Sequence, residues 1–330
     1  MADWRFQTSD ALTAQTWQKK WWMEAKTESY FYGHGFVSTS KTSIIVEFPD
    51  LDQGQGYQHQ FGQVRELSGV GITGDNTLEG NEEAPNVYDD AITLEQYRHA
   101  MRTYGRLSDQ YPSQKESAVR SDMRELLSRW KAAKIDQLMF TGLGGSLTKV
   151  IYGGDATSTA TIEAGDYFTT NLVSKCKAYA IKATPKIMPV RIKGKEYYVI
   201  VISPDQSFDL KTRDAAWSQA AREARAAGDS NPLFTGAEGI WDGVVIHSHE
   251  RVATSAVWGA GGNLNGATAL FMGQQAGAIA YAKRRTWNEK TFDYGNKVGF
   301  AIGSILGFTK AVFNSADNAV VGVRTYRTSN

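Results

Sequence analysis

SQKESAVRSDMRELLSRWKAAKIDQLMFTG, residues 113–142, decides how the rest of the chain is read. It holds no glycine or proline until its last residue and is dense in strong helix formers. Val119, Met123, Leu126, Leu127, Trp130, Leu138 and Met139 recur at three- and four-residue spacings, predicting one apolar stripe opposite one charged face. Pro112 and Ser113 supply starting signals, and Gly142 supplies a stop. At 1.5 Å per residue the helix is a rod of roughly 40 Å, far beyond the average globular helix. A rod with a single apolar stripe lies across a domain rather than inside it.

Upstream, residues 1–40 are aromatic without clear periodicity, with Trp17, Trp21 and Trp22 in a candidate helix from Asp10 to Glu24. They form either a helix packed on its own core or an arm docking on a neighbouring subunit, where Trp and Tyr are favoured. Ser43–Phe48 reads as a strand, Leu51–Tyr57 as a glycine-bearing turn, and Gln58–Leu67 as a second extended stretch. A long polar loop follows. Between Glu66 and Tyr97 there are eight acidic residues, among them Glu79, Glu82, Glu83, Asp89 and Asp90, and no lysine or arginine. Loops of this length inside a domain usually have a function, and an extended β-hairpin resting on another molecule accounts for both length and polarity. The charge then inverts. From Arg98 to Lys134 nine basic residues face four acidic ones, with Arg98, Arg102 and Arg106 evenly spaced. This belt is either a solvated face or the receiver of the acidic loop of an adjacent copy.

Downstream, helix and strand alternate as in a mixed layer. Asp166–Ala183 predicts an amphipathic helix, Glu196–Ile202 a buried strand, Ser203–Ala227 a capped loop and helix closed by Gly228, and Trp241–Arg251 another strand. Residues 267–327 alternate in the manner of strands and are expected to return beside the rod. The class expected is α+β.

Composition narrows the function. At 330 residues with 42% hydrophobic and 12% aromatic content, the chain can build a sizeable core. A formal charge of +1 argues against a dedicated nucleic-acid binder. The lone Cys176 excludes an internal disulfide or a thiolate metal cluster and suits a reducing compartment. Neither a signal peptide nor a run of 18 apolar residues is visible, so synthesis and folding in the cytosol, with no membrane contact, are expected.

Catalytic and ligand motifs are missing. Gly142–Lys149 (GLGGSLTK) lacks Walker spacing and follows a helix rather than a strand. His247 and His249 at i and i+2 permit a metal but have no evident third ligand, and are expected at the surface or an interface. Asp50 and Asp52 near Gly54 resemble the start of a calcium loop without its closing carboxylate. Glu82–Glu83 and Asp89–Asp90 read as solvated charge rather than acid–base pairs. No cofactor, metal or enzymatic activity is expected.

Six blocks carry a resemblance: GVGITGDNTLEGNEEAPNVYDDAITLEQYRHAMRTYGRLSDQ (69–110), RWKAAKIDQLMFTGL (129–143), VISPDQSFDLK (201–211), WDGVVIHSHERV (241–252), LFMGQQAGAIAYAKR (270–284) and DYGNKVGFAIGSILGFTKAVFN (293–314). Together the sequence resembles the major capsid proteins of tailed double-stranded-DNA phages of the schitovirus type. That resemblance implies the Hong Kong 97-type capsid fold. Residues 1–40 would be an N-terminal arm, 41–105 an extended hairpin or E-loop, and 106–159 a spine helix and the start of a peripheral domain. Residues 160–262 would be an axial domain, and 263–330 returning peripheral strands. It further implies hexamers and pentamers closing an icosahedral head, with scaffolding, portal and decoration proteins as partners and packaged DNA held by weak non-specific contact. Assembly would take place in the host cytoplasm. An encapsulin-like compartment and an enzyme with an unrecognised site are the rival readings.

Overall fold

The computed structural model describes residues 29–48, 57–65, 67, 69–105, 116–192, 194–217, 219 and 237–328. In chain order its elements are α1 (Tyr30–Gly33), β1 (Val37–Ser38), β2 (Ile45–Phe48), β3 (Gln58–Val64), β4 (Val87–Thr93), β5 (Glu95–Arg102) and α2 (Glu116–Gly144). There follow β6 (Val150–Tyr152), α3 (Thr170–Lys182), β7 (Val190–Ile192), β8 (Lys195–Ile202), α4 (Pro204–Arg213), β9 (Gly239–Trp241), β10 (Val244–Ser248) and β11 (Thr254–Trp258). The last are β12 (Leu264–Met272), β13 (Gly277–Phe292), β14 (Lys297–Lys310), β15 (Val312–Phe313), β16 (Ala316–Asp317) and β17 (Val320–Tyr326). The content is mixed α and β.

Two compact units share this chain. The smaller takes Arg98–Ala132 and Thr286–Gly303. Leu127, Phe300 and Ile302 are buried there, flanked by Met101, Met123, Trp130, Trp287 and Val298. The Arg124 guanidinium lies 5.5 Å over the Trp287 ring, and His99 stacks on Trp130 at 4.7 Å.

The larger unit takes Ser29–Tyr97, Ala133–Arg285 and the chain from Ser304 onward. Its main sheet runs β6-β17-β12-β8-β10-β9, with β11 beside β12 and β7 beside β8. At its centre Val199, Ile200, Val201 and Ile202 are all buried, the uninterrupted apolar run of a strand covered on both faces. β10 lies parallel to β8, and β12 lies antiparallel to it. A second sheet, β1-β2-β13-β14-β5, draws three strands that contribute residues to both units. The strands after residue 263 therefore divide among three sheets, β15 and β16 pairing only with each other.

The long helix is as long as its periodicity predicts, but its buried face is less simple. It spans 29 residues, about 43 Å at the standard rise. Leu127 and Met139 are fully buried, whereas Leu126 is 40% exposed. Ile135, Phe140 and Leu143, outside the predicted stripe, are buried in the larger unit. The predicted stripe thus supplies Leu127 to the smaller unit's core and Met139 to the larger unit's, and the larger unit also draws on residues beyond it. The helix does not stop at Gly142: a Cβ there would lie 2.6 Å from the Phe308 ring, so glycine is needed for close packing. The end comes two residues later, where the Lys310 ammonium donates to the carbonyls of Gly145 (2.7 Å) and Ser146 (3.1 Å). These carbonyls lie just past the last helical residue, and a cation there also suits the negative end of the helix dipole. Lys310 is itself paired with buried Asp317 at 2.6 Å, which also accepts from the Thr148 amide at 2.8 Å. Pro112 and Ser113 lie outside the described residues.

Midway along the same helix, buried Asp136 holds the chain that enters the larger unit. It accepts from the Ser29 hydroxyl (2.8 Å) and the Tyr30 amide (2.7 Å), donors at the start of α1. Above this anchor the rings of Tyr30, Phe31 and Phe36 pack with Phe140 and His247. His247 is fully buried, and His249 stacks on Phe140 at 4.7 Å. The surface or interface position expected for this pair is therefore wrong for His247, which β10 turns into an aromatic core, while His249, just past β10, is half-buried. Burial holds His249 well below its ordinary value of 6.5, at about 4, with Arg251 and His34 acting in the same direction and Glu250 against it.

Three further boundaries shift. α3 starts at Thr170, not Asp166, because Asp214 accepts from both the Thr170 amide and hydroxyl. The predicted 241–251 strand is a hairpin, β9 and β10, turning at Asp242–Gly243 with both residues at positive φ. α4 begins directly after Ser203, in a capping box of Ser203 and Gln206 that the sequence reading did not name, and ends at Arg213. Gly228 lies outside the described residues.

Two measurements follow from these anchors. Lys310→Met leaves the Asp317 charge buried without its cation and is expected to destabilise the fold by about 3–5 kcal/mol in denaturant titration. An unchanged midpoint would show that the pair does not hold the helix end. His249 takes up protons more readily unfolded than folded, so it favours the fold fully above its unfolded pKa. That contribution declines as pH falls from about 6.5 towards about 4. His249→Phe keeps a ring and should flatten the melting-temperature slope over that window relative to wild type, while equal slopes would exclude His249 as its source.

Candidate assembly surfaces

β3 and β4 pair antiparallel in register from Gln58 opposite Thr93 to Val64 opposite Val87. Along β3 exposure alternates strictly, so one side faces the body and the other faces out. On the inner side Phe61 meets Phe48 at 5.8 Å and Phe313 at 5.9 Å, and Ile92 is buried with Ala278 and Ala280. Polar ties finish the seat: the Gln63 amide donates to Asn318 Oδ1, and the Asp90 carboxylate accepts from the Val312 amide at 3.0 Å. Asp90 is thus committed within its own chain.

Beyond this seat, residues 65–86 form the outer loop. Glu82 accepts from the Gly80 amide (2.8 Å) and Glu83 from the Gly69 amide (2.6 Å), so these two carboxylates brace the loop. Asp75, Glu79 and Asp89 are exposed and meet no cation among the described residues. Leu67, Val70, Leu78 and Val87 are also exposed, Val70 completely. Apolar side chains interleaved with uncompensated carboxylates are an unfinished surface, of the kind that marks an interaction site.

Arg98 and Arg102 stand on β5, where a four-residue spacing places both on one side of the strand, and both are exposed. Arg102 lies 5.6 Å over the Phe292 ring. Further along the predicted basic belt, Arg129 pairs with Glu125 at 2.6 Å and Lys134 lies 5.6 Å over Tyr97. Much of that belt is engaged at home. Arg106, Trp17, Trp21 and Trp22 lie outside the described residues, as do Asp50 and Asp52.

The remaining motifs have structural occupants. In the 142–149 stretch the Thr148 amide points at the Asp317 carboxylate, a place where a phosphate cradle would need an anion of its own. Cys176 is buried under α3, its thiol pushed up to about 12 by that burial. Among the described residues no group of three or more His, Cys, Asp or Glu is placed to hold a metal. No described helix is long and apolar enough to cross a membrane.

Sequence reasoning passed over one feature. From Tyr167 to Lys195 there are seven basic residues and no acidic one. Lys177 pairs with Asp242 at 2.7 Å and Arg191 with Glu196 at 2.9 Å. Lys175, Lys182 and Lys186 are exposed and meet no carboxylate among the described residues. A charge count over this window would have found it.

Comparison with known proteins places this arrangement. A family model described as phage capsid protein matches residues 5–149 and 131–327. The chain is 31% identical to the major capsid protein of Pseudomonas phage KPP25, across 91% of this chain and 89% of that protein. Its fold superposes on the capsid of Ralstonia phage GP4 with a TM-score of 0.88 at 29% identity, covering 99% of both chains. It also matches the capsid of cyanophage Pam1, with a TM-score of 0.82 at 21% identity and full coverage of both. The match of the family model across most of the chain, with the 31% identical relative, shows that this chain belongs to the phage capsid protein family.

Proposed function

We propose that this chain is the major capsid protein of a tailed phage, with the Hong Kong 97-type fold, closing an icosahedral head from hexamers and pentamers around double-stranded DNA. The observation that carries this reading is the β3–β4 hairpin, whose inner side is satisfied by its own chain while its outer loop is not. In this reading residues 41–105 are the E-loop, α2 is the spine, residues 160–262 are the axial domain, and residues 1–40 are an arm bearing Trp17, Trp21 and Trp22. The protein works mechanically. Each exposed charge pair contributes roughly 0–1 kcal/mol, so a shell holds because many such contacts close together in one assembly. Scaffolding, portal and decoration proteins complete the set of partners, and the site of action is the virion. DNA contact is weak and independent of sequence, in keeping with a formal charge of +1.

Replacing Asp75, Glu79 and Asp89 together by lysine spares the two bracing carboxylates and all buried groups. The variant should fold with the wild-type melting curve yet yield at least tenfold fewer particles by sedimentation and electron microscopy. Particles in normal number would remove the acidic loop from the assembly mechanism.

A further inference from the structure

The proposed role leaves open which surface of a second copy receives the acidic loop. The evenly spaced arginines are one candidate, but much of their belt is occupied by rings and carboxylates of its own chain. α3 and the segment after it have a different character. Lys175, Tyr179 and Lys182 recur at i, i+4 and i+7, a single stripe on the outer side of α3. The opposite side, Leu172, Val173, Cys176 and Ala180, is buried. Lys186 continues the exposed basic run past the helix. Around these cations stand apolar side chains left in the open: Tyr179 at 40%, Ile181 at 48% and Met188 at 47% exposure.

The acidic loop has the matching composition. It offers Asp75, Glu79 and Asp89 without cations and Leu67, Val70, Leu78 and Val87 without cover, all in the same unit as α3. Both surfaces stay exposed in one chain, so neither covers the other intramolecularly. We infer that the α3–β7 face of one subunit, built on Lys175, Tyr179, Lys182, Lys186 and Met188, is the dock for the acidic loop of a second copy. The deduction rests on the shell-building role proposed above. A phosphate backbone would satisfy the lysines equally well but would leave Ile181 and Met188 without partners. A loop that alternates carboxylates with Leu and Val satisfies both sets. The lysines steer and orient the approach, while burial of the apolar side chains supplies a contribution that salt does not screen.

Charge reversal with rescue tests this dock. Lys175→Glu, Lys182→Glu and Lys186→Glu, combined in one full-length chain, should leave the melting curve unchanged and reduce particle yield at least tenfold. Adding Asp75→Lys, Glu79→Lys and Asp89→Lys should restore yield to within about threefold of wild type. A lysine-to-glutamine triple variant with intermediate yield guards against loss through misfolding. Normal assembly of the glutamate triple would overturn the dock while leaving the hairpin's role to stand on its own reversal. Loss without rescue would also overturn it. Normal shells with reduced DNA content would assign the lysines to phosphate contact instead. As a direct readout, Lys182→Cys with Leu78→Cys should give disulfide-linked dimers in assembled particles under mild oxidation. Monomer alone on a non-reducing gel would count against the pairing.

Discussion

The Lys310–Asp317 pair is the constraint on which the larger unit turns. It closes the end of the long helix, and Asp317 extends the tie to Thr148, where the chain leaves that helix for β6. Burying two charges is costly unless each finds several partners, and here both do. Lys310 reaches the Gly145 and Ser146 carbonyls just past the helix as well as Asp317, and the Asp317 amide in turn donates to the Thr148 hydroxyl. The charges therefore fix the axial position of α2 against β14 and β16. Apolar packing alone would resist sliding less strongly.

From that fixed helix the functional surfaces follow. Asp136 sets where the chain enters the larger unit. Gly142 lets the Phe308 ring lie against the helix. A little further along β14, Gly307 sits where a Cβ would come within 2.2 Å of the Thr93 carbonyl, so the base of β4 presses directly on the strand. The hairpin is thus aimed by backbone-to-backbone contact at its root and is uncovered at its outer end.

How much of this was legible in the residues depends on range. The long helix, the capped α4 and the β8 strand were readable because propensity, caps and apolar runs are local signals. β3 and the acid-rich loop showed in glycine and charge patterns, but most of β4 was read as loop, because its acidic residues hid the strand. The Asp242–Gly243 turn was equally local, a common hairpin dipeptide, yet the reading ran one strand through it. What no local pattern could supply was partnership at a distance. Nothing around Asp136 announces Ser29 and Tyr30, and nothing in Lys310 points to Gly145. His247 and His249 carried a period-two signal that correctly gave a strand, but periodicity cannot tell an aromatic interior from a wet surface. Gly142 misled for a related reason, since close packing and helix termination both call for glycine.

β3 and β4 form a ribbon of only two strands, so each keeps an outer edge with no neighbour in its own sheet. Open edges invite identical ribbons to zip together and precipitate. Two such ribbons laid side by side would bring one carboxylate-laden tip against another, with no lysine or arginine from Glu66 to Tyr97 to relieve the repulsion. On the proposed dock, the acidity that would guide the tip to a basic face would also keep newly made subunits from sticking tip to tip. One set of side chains would then serve both solubility before assembly and selectivity during it.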